Sequence, residues 1–405
     1  MGVSIVRIAA VKPDQSLSIF FIFLRLGLTS FGGPVAHLAF FRETFVRRRQ
    51  WLSESAYTDL VALCQFLPGP ASSQVGLALG WMRGGYAGAL AAWLGFTLPS
   101  AMMLIVLASS MQRLSSLVSA GVVHGLKVAT VAVVAQAVWG MAKTLCADVP
   151  RVLIMLIAAV VAFSLPLPGV QIGILLLAGA AGWCGLRLPD SLSIRVALPY
   201  MSRRTGLFWL AAFTILLTGL PVLAKASGVH GLEVFNAFYR AGALVFGGGH
   251  VFLPLLQAAV VPAGWVDRET FLAGYGVTQA MPGPLFTFSA FLGASLHGTP
   301  GGWVGGMVCL IAAFLPGALL LFGALPFWTQ LSHSLRARAA LDGVNAAVVG
   351  LLLAAFISPV IISAIHHLQD VLLAGAALLA LLHWRSPPWL VVLVCGGMGV
   401  MLPPV

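Results

Sequence analysis

Apolar residues fill long runs along this chain, and polar residues gather between them. The runs cover roughly 17–41, 56–80, 86–110, 120–142, 151–165 and 169–186, then 206–224, then 235–260, 271–296, 302–326, 343–365, 371–384 and 388–402. Such runs predict membrane helices, because a helix needs about 20 apolar residues to cross the hydrocarbon. The pattern is six segments, one segment, six segments. A polar, basic connection with Arg187, Arg195, Arg203 and Arg204 precedes the single span.

Four of these runs are interrupted. Gln65-Phe66-Leu67-Pro68-Gly69-Pro70 and Gln279-Ala280-Met281-Pro282-Gly283-Pro284 each place two prolines around a glycine inside an apolar segment. That triplet cannot continue a helix, since proline lacks the backbone donor and its ring clashes with the preceding turn. In hydrocarbon a freed backbone group costs several kcal/mol unless protein or a watered cavity satisfies it. Earlier in each set, Phe31-Gly32-Gly33-Pro34 matches Phe246-Gly247-Gly248-Gly249, each six residues after an arginine, Arg25 and Arg240. Trp51 matches Trp265, ahead of the helix caps Ser53 and Asp267. Leu98-Pro99 matches Leu315-Pro316, and Gly125-Leu126-Lys127 matches Gly343-Val344-Asn345. Landmarks in one order imply an internal duplication: a tail over 1–16, a first repeat over 17–186, a connection and linking span over 187–231, and a second repeat over 232–405.

The loop arginines swap sides between repeats. Arg42, Arg47, Arg48 and Arg49 in the first face only Arg268 in the second, while Arg336 and Arg338 face Arg113 alone. This predicts inverted topology, which one linking span supplies. With Arg7 and Lys12 holding the tail in the cytoplasm, the positive-inside rule is kept if 17–41 and 56–80 enter and return. Lys143, Arg151, Arg336, Arg338, Arg385 and the 187–204 connection then lie inside, and mainly Arg113, Lys225 and Arg268 outside. The expected fold class is an all-α polytopic membrane protein. It has two homologous inverted-topology repeats of about six segments, one connecting span, and Gly/Pro-broken, re-entrant helices.

Composition agrees: 60% hydrophobic and 8% charged residues exclude a soluble domain. The net charge of +11 is accounted for by topology signals in loops, so no nucleic-acid partner is expected. Cys64, Cys146, Cys184, Cys309 and Cys395 have no metal-ligand spacing and read as small buried hydrophobes. Glu43, Glu54, Asp59, Asp148, Asp190, Glu233, Asp267, Glu269, Asp342 and Asp370 all read as loop or segment-end residues, with Asp14 in the tail. Cation carriers and proton relays usually keep a carboxylate mid-membrane, so the expected cargo is anionic or neutral. Without clustered carboxylates or His-Glu-x-x-His, neither an enzyme nor a cofactor is expected.

Several residues could carry transport. Arg25 and Arg240 lie in apolar runs, where an arginine costs ~2.5–3.5 kcal/mol. They either snorkel to the headgroups or present forked donors to a tetrahedral oxyanion. Lys127 faces the same choice. Helices starting after Pro70 and Pro284 would offer backbone N–H groups and partial positive charge, with hydroxyls from Ser72, Ser73, Thr287 and Ser289. The bland alternative is a kink repacked by neighbours. Gln65 and Gln279 either donate to cargo or satisfy freed carbonyls. His37, His250 and the pair His366-His367 titrate near neutral pH or serve as structural residues.

Arg25 with Phe31-Gly32-Gly33-Pro34, the basic loop ending in Trp51-Leu52, the stretch Gln65 to Pro70, Phe246-Gly247-Gly248-Gly249-His250 and the stretch Gln279 to Pro284 resemble the signature motifs of the chromate ion transporter family, in its long, two-homologous-halves form. The resemblance covers nearly the whole chain from about Phe20. It implies efflux of chromate across the bacterial inner membrane, conferring resistance and driven by the proton-motive force. Its transport motifs fall on the two Phe-Gly-Gly and two Pro-Gly-Pro stretches. The expected partners are chromate or a sulfate-like oxyanion, the lipid bilayer and, in a homodimer, a second copy of the chain.

Overall fold

The computed structural model describes residues 14–113, 120–165, 170–186, 201–246, 249–298, 300–328, 330 and 334–401, and these are helices and connecting turns. The first repeat runs α1 (Asp14–Thr29), α2 (Gly33–Phe41, continued by a π-helical turn Arg42–Arg48) and α3 (Glu54–Phe66). The helix Ala71–Arg113 is non-helical at Gly84 and Gly85, which divides it into α4 (71–83) and α5 (86–113). Then come α6 (Ala120–Leu145), α7 (Val149–Ser164) and α8 (Val170–Gly185). The link is α9 (Arg203–Ser227). The second repeat runs α10 (His230–Ala243), α11 (Phe252–Val260), α12 (Arg268–Ala280), α13 (Phe288–Ala294), α14 (Gly302–Ala324), α15 (Leu335–Ala355), α16 (Leu368–Leu382) and α17 (Pro388–Gly399). Five stretches are long and apolar enough to cross a membrane: Ala71–Met111, Gly121–Leu145, Arg203–Ser227, Gly302–Phe327 and Leu335–Ala364. The protein is multi-pass.

Local chemistry sets the boundaries. Ser53 and Asp267 cap α3 and α12, accepting from the N–H groups of Ala56 (3.2 Å) and Thr270 (2.8 Å). Both helices end where the following residue, Leu67 or Met281, turns to extended backbone ahead of a proline. Gly32 stands at φ 100° in front of α2, a conformation that favours glycine.

In each repeat the broken segments double back. The Arg83 guanidinium lies 5.0 Å over the Trp51 ring, so α3 starts where α4 ends. Gly84 packs on Ser16 and Ile19, bringing the start of α1 to the same end of the molecule. The second repeat does likewise: His230 packs 5.2 Å from Trp265, whose carbonyl accepts from the His297 N–H at 2.9 Å. Between repeats, α5 and α14 run antiparallel. Tyr86 meets Phe322 (5.2 Å), Trp93 meets Phe314 (5.7 Å), and Ile105 packs on Gly306.

The outer helices are exchanged. α6 of the first repeat packs on α17 of the second, and α15 of the second on α8 of the first. Both crossings depend on close backbone approach through small residues, the usual means by which helices associate where lipid tails are as apolar as leucine. A Cβ on Gly125 would strike the Cys395 carbonyl, and one on Gly343 would strike the Ala178 carbonyl.

Two sequence expectations need correction. Asp59 and Asp342 are not loop residues: Asp59 is buried within α3, and Asp342 sits in the third turn of α15, where Arg151 pairs with it at 2.6 Å. Arg336 and Arg338 shortened the apparent span and hid Asp342, whereas Asp59 lies near the start of the run 56–80 and only the helix over Glu54–Phe66 places it inside. Cys184 is exposed on α8, unlike the other four cysteines.

Gly125→Val and Gly343→Val should each destabilise the purified protein by about 1–3 kcal/mol, seen as a lower thermal-unfolding midpoint. Gly140→Val, where a Cβ meets open space, should leave the midpoint unchanged.

Candidate functional site

All four breaks meet in one region, held by a reciprocal pair of backbone bonds. The Gly69 N–H donates to the Val245 carbonyl at 2.7 Å, and the Gly283 N–H donates to the Ser30 carbonyl at 2.9 Å. Gly69 and Gly283 are equivalent in the two repeats, as are Val245 and Ser30. The second break of each repeat therefore bonds the first break of the other. This is the self-complementary contact of a two-fold axis, here within one chain. Gly69 and Gly283 stand at φ 121° and 96°. A Cβ there would lie 3.0 Å from Gly317 Cα or 2.8 Å from Ser100 Oγ, another equivalent pair of neighbours. Gln74, which sequence reasoning missed, bridges the Pro68 and Gly317 carbonyls at 3.0 Å each. It resembles any polar residue beginning a helix, and only the distant Gly317 reveals its role.

Beside the breaks lies a cavity of about 1010 Å³, lined by Phe31, Gly32, Pro34, Leu38, Gln65, Leu67, Gly69, Ala71 and His250, with α6 forming the facing wall. Its mouth carries Thr144, Asp342, Asn345 and Arg385. A second space of about 70 Å³ adjoins it, lined by Gly32, Gly33, Gln136, His250, Thr278, Gln279, Gly283 and Leu285. Gln136 is a further residue absent from the sequence candidates, because nothing in its apolar run marks which face is turned inward. The Gln279 side-chain N–H₂ is buried here without a hydrogen-bond partner, and His250 Nδ1 is 2.8 Å from the Tyr275 hydroxyl.

The other candidates are distributed as follows. Gln65 reaches the larger cavity and is exposed to it. Ser72 and Ser73 are buried outside both cavities, Ser72 Oγ being 3.4 Å from His37 Nδ1. The Thr287 and Ser289 hydroxyls donate to the Pro284 and Phe286 carbonyls at 2.7 Å, closing the break locally instead of facing a ligand. Pro68, Pro70, Pro282 and Pro284 shape the breaks, and Gly249 is buried beside Leu285. Gly247 and Gly248 lie outside the described residues. Arg25 is exposed on the face of α1 shared with Phe21 and Leu28, and Arg240 is half-buried on α10; neither lines these cavities. Lys127 is buried with its ammonium 3.5 Å from Glu269, also away from them.

The chromate transporter family profile matches residues 17–183 and again 232–400. The chain belongs to the chromate transporter family. It is 30% identical to a chromate transport protein of Pseudomonas aeruginosa, over 85% of this chain and 81% of that one. A chromate transport protein of Cupriavidus metallidurans is 28% identical over 83% and 80% of the two chains. An uncharacterised transporter of Methanocaldococcus jannaschii is 27% identical over 84% and 83%. No solved structure matches the chain. For this transporter the two matched stretches coincide with the two sets of helices either side of α9.

The two ends of this chromate transporter family member are unlike. The position equivalent to the large cavity, between α11 and the end of α15, holds a space of about 370 Å³ lined by Pro254, Gln257, Leu351, Ala354 and Ala355. None of the described break residues lines it. α11 packs against α15 there, and Phe252 stacks on Phe286 at 4.2 Å, where the first repeat has His37 and Ser72. One end is open to the breaks and the other is not.

Gly69→Ala and Gly283→Ala should each cost about 1–3 kcal/mol through backbone strain, read as a lower unfolding midpoint. Gly33→Ala, strained at φ 77° but with nothing within 4 Å of its Cβ, should carry the backbone cost without the added clash and so cost less than either.

Proposed function

We propose that this protein carries chromate, a tetrahedral oxyanion, out of the cytoplasm by alternating access, with the anion held where the four breaks converge. The observation that carries the reading is the reciprocal bonding of Gly69 to Val245 and Gly283 to Ser30 beside a cavity open at one end only. The helices that follow the breaks begin at the cavities: Pro34, Ala71, His250 and Leu285 belong to their first turns or the short turns before them, and all line the space. Helix N-termini attract anions through free N–H groups and partial positive charge, worth about 0.3–1 kcal/mol each at a surface and up to ~2 in partly buried geometry. Gln136 and Gln279 supply side-chain amides that can donate to an oxyanion's oxygens. Arg25 and Arg240 are left out of the site.

The fold supports alternating access in a particular form. The doubled-back segments read as re-entrant hairpins, because Arg83 returns to Trp51 and His297 to Trp265. The antiparallel α5–α14 contact supports inversion of one repeat relative to the other. The open cavity shares its end of the molecule with Arg83, Arg151 and Arg385, which the positive-inside rule assigns to the cytoplasm of a bacterial inner membrane. At ~2.3 kcal/mol per charge per 100 mV, an inside-negative potential contributes roughly 4–5 kcal/mol to expelling a dianion. Export by potential alone is thus permitted, with or without a proton.

Single cysteines at Arg48, Arg83 and Arg385 should be labelled from the cytoplasmic side and one at Arg268 from the opposite side. Opposite-side labelling at Arg83 would remove the re-entrant reading.

In vesicles containing only this protein, labelled chromate should undergo counterflow, with sulfate as the competing test anion. Gln136→Leu and Gln279→Leu should each reduce counterflow at least tenfold, the equivalent of ~1.4 kcal/mol, while Arg25→Ala should retain it. Loss of counterflow in a correctly inserted Arg25→Ala protein would return that arginine to the site. Sulfate counterflow without chromate counterflow would reassign the cargo.

A further inference from the structure

At the end of the molecule away from the large cavity, a histidine and an aspartate are buried together. His124 on α6 and Asp370 on α16 are 4% and 0% exposed, and His124 Nε2 donates to Asp370 Oδ1 at 2.8 Å. The other carboxylate oxygen accepts the N–H groups of His366 and His367, both at 2.9 Å. Three donors point at this carboxylate, the partner set of an ionised acid, which has only acceptors to offer. Nε2 of His124 is therefore the protonated ring nitrogen. Nδ1 is buried and has no hydrogen-bond partner. The ring is neutral when Nδ1 is bare and an imidazolium when a proton sits there.

The duplicated fold contains its own control. Asp342 on α15 is equivalent to His124 on α6, each directly preceding the glycine that crosses its neighbouring helix most closely. Arg151 is the third residue of α7 and Asp370 the third of α16, after the caps Asp148 and His367. Arg151 donates to Asp342 at 2.6 Å. Each pair joins one repeat to the other at equivalent places on opposite ends, with acid and base exchanged. The Arg151–Asp342 pair is permanently charged, because arginine does not deprotonate in proteins. Of the two pairs, His124–Asp370 alone has a ring nitrogen that can take up or release a proton.

We propose that His124 Nδ1, beside the Asp370 carboxylate, is a proton-binding site that sets the pH dependence of transport. Binding adds one positive charge to α6, the helix that carries Gln136 at the central space, and makes the two ends electrostatically equivalent. The charged and titratable groups around it are Lys127 on α6, itself facing Glu269 of α12, and His366, 6.1 Å ring to ring, with His367 from the turn before α16. Cys395 of α17 packs its backbone on Gly125. Lys127 is held by Glu269, and the His366 ring nitrogen lies 3.2 Å from the Ser363 carbonyl, which leaves Nδ1 of His124 as the acceptor that lacks a partner.

The transport arm of the test rests on the carrier reading above, and the spectroscopic arm does not. In vesicles of full-length protein, wild-type anion counterflow should change several-fold between about pH 5 and 8. His124→Gln, which keeps a donor to Asp370 without titrating, and His124→Arg, which copies the other end, should both be flat. His124→Arg should match the acid limit of wild type. A wild-type pH profile in either inserted variant would overturn the proposal. Separately, ring-¹⁵N-histidine spectra of the wild type should show one ring protonated at Nε2 that gains a proton at Nδ1 over the same range. That signal should vanish in His124→Gln or shift in Asp370→Asn. A His124 ring fixed in one state throughout would also overturn the proposal, whereas a titrating ring in a protein that moves no anion would leave the proton site standing and sink the carrier reading together with the pH dependence of transport that rests on it.

Discussion

The rest of the structure depends on satisfying backbone polar groups where water is absent. Pro68, Pro70, Pro282 and Pro284 interrupt their helices in apolar surroundings, and hydrocarbon offers nothing to the groups they release. Gly69 and Gly283 carry the first N–H groups after Pro68 and Pro282, and each is answered by a carbonyl from the opposite repeat. Neither repeat can make these bonds alone. The breaks and the duplication are thus one requirement, since a single copy would leave donors at one break and acceptors at the other unmatched. The strained glycines follow from the same demand: the chain must turn its N–H outward at a φ that a side chain would resist.

Backbone symmetry coexists with side-chain divergence, and the divergence falls near the axis. Gln74 covers the Pro68 carbonyl, while its counterpart Phe288 has no donor to offer. Gln136 faces the open cavity, and its counterpart Ala354 faces the smaller one. His37 with Ser72 corresponds to the stacked pair Phe252 and Phe286. Under the alternating access proposed above, a two-fold backbone would admit two equivalent shapes, each with the opposite end open. Side chains decide which lies lower, and an aromatic stack worth about 0.5–1.5 kcal/mol beyond its buried area weighs toward keeping the second end closed.

Much of this was legible in the linear order of residues. Apolar run length located the helices, paired landmarks located the repeats, and Pro-Gly chemistry located the breaks, because each depends on local composition. What was not legible depends on rotation about a helix axis or on contact across hundreds of residues. Arg25 recurs at a repeat position with Arg240, yet α1 is turned so that it shares an exposed face with Phe21 and Leu28. Gln136 is one polar residue among many apolar ones until α6 is seen to wall the cavity. Asp342 looked like a flank, because Arg336 and Arg338 end the apolar run early, and only Arg151 explains how it is tolerated inside. Thr287 offered the right hydroxyl but its own break consumes it.

Leaving the arginines out of the site has a consequence for how potential acts on a dianion. Among the described residues lining the two adjoining cavities, His250 and Arg385 are the basic side chains and Asp342 the acidic one, with Asp342 held by Arg151. Arg385 stands at the mouth, so formal charge at the breaks is at most one histidine. Helix termini stabilise an anion by partial charge without changing the net charge of the site. A loaded site built from them, as proposed, would still carry most of the cargo's charge, and the membrane potential would do its work on the loaded step. Two guanidiniums at the breaks would reverse this, leaving the loaded site neutral and making the empty return the voltage-sensitive step. Dipoles also bind less firmly than a desolvated ion pair, which suits a carrier that must let go on the far side. In the export proposed above, convergent helix termini would therefore meet both demands, capture of a doubly charged ion and its release down the potential.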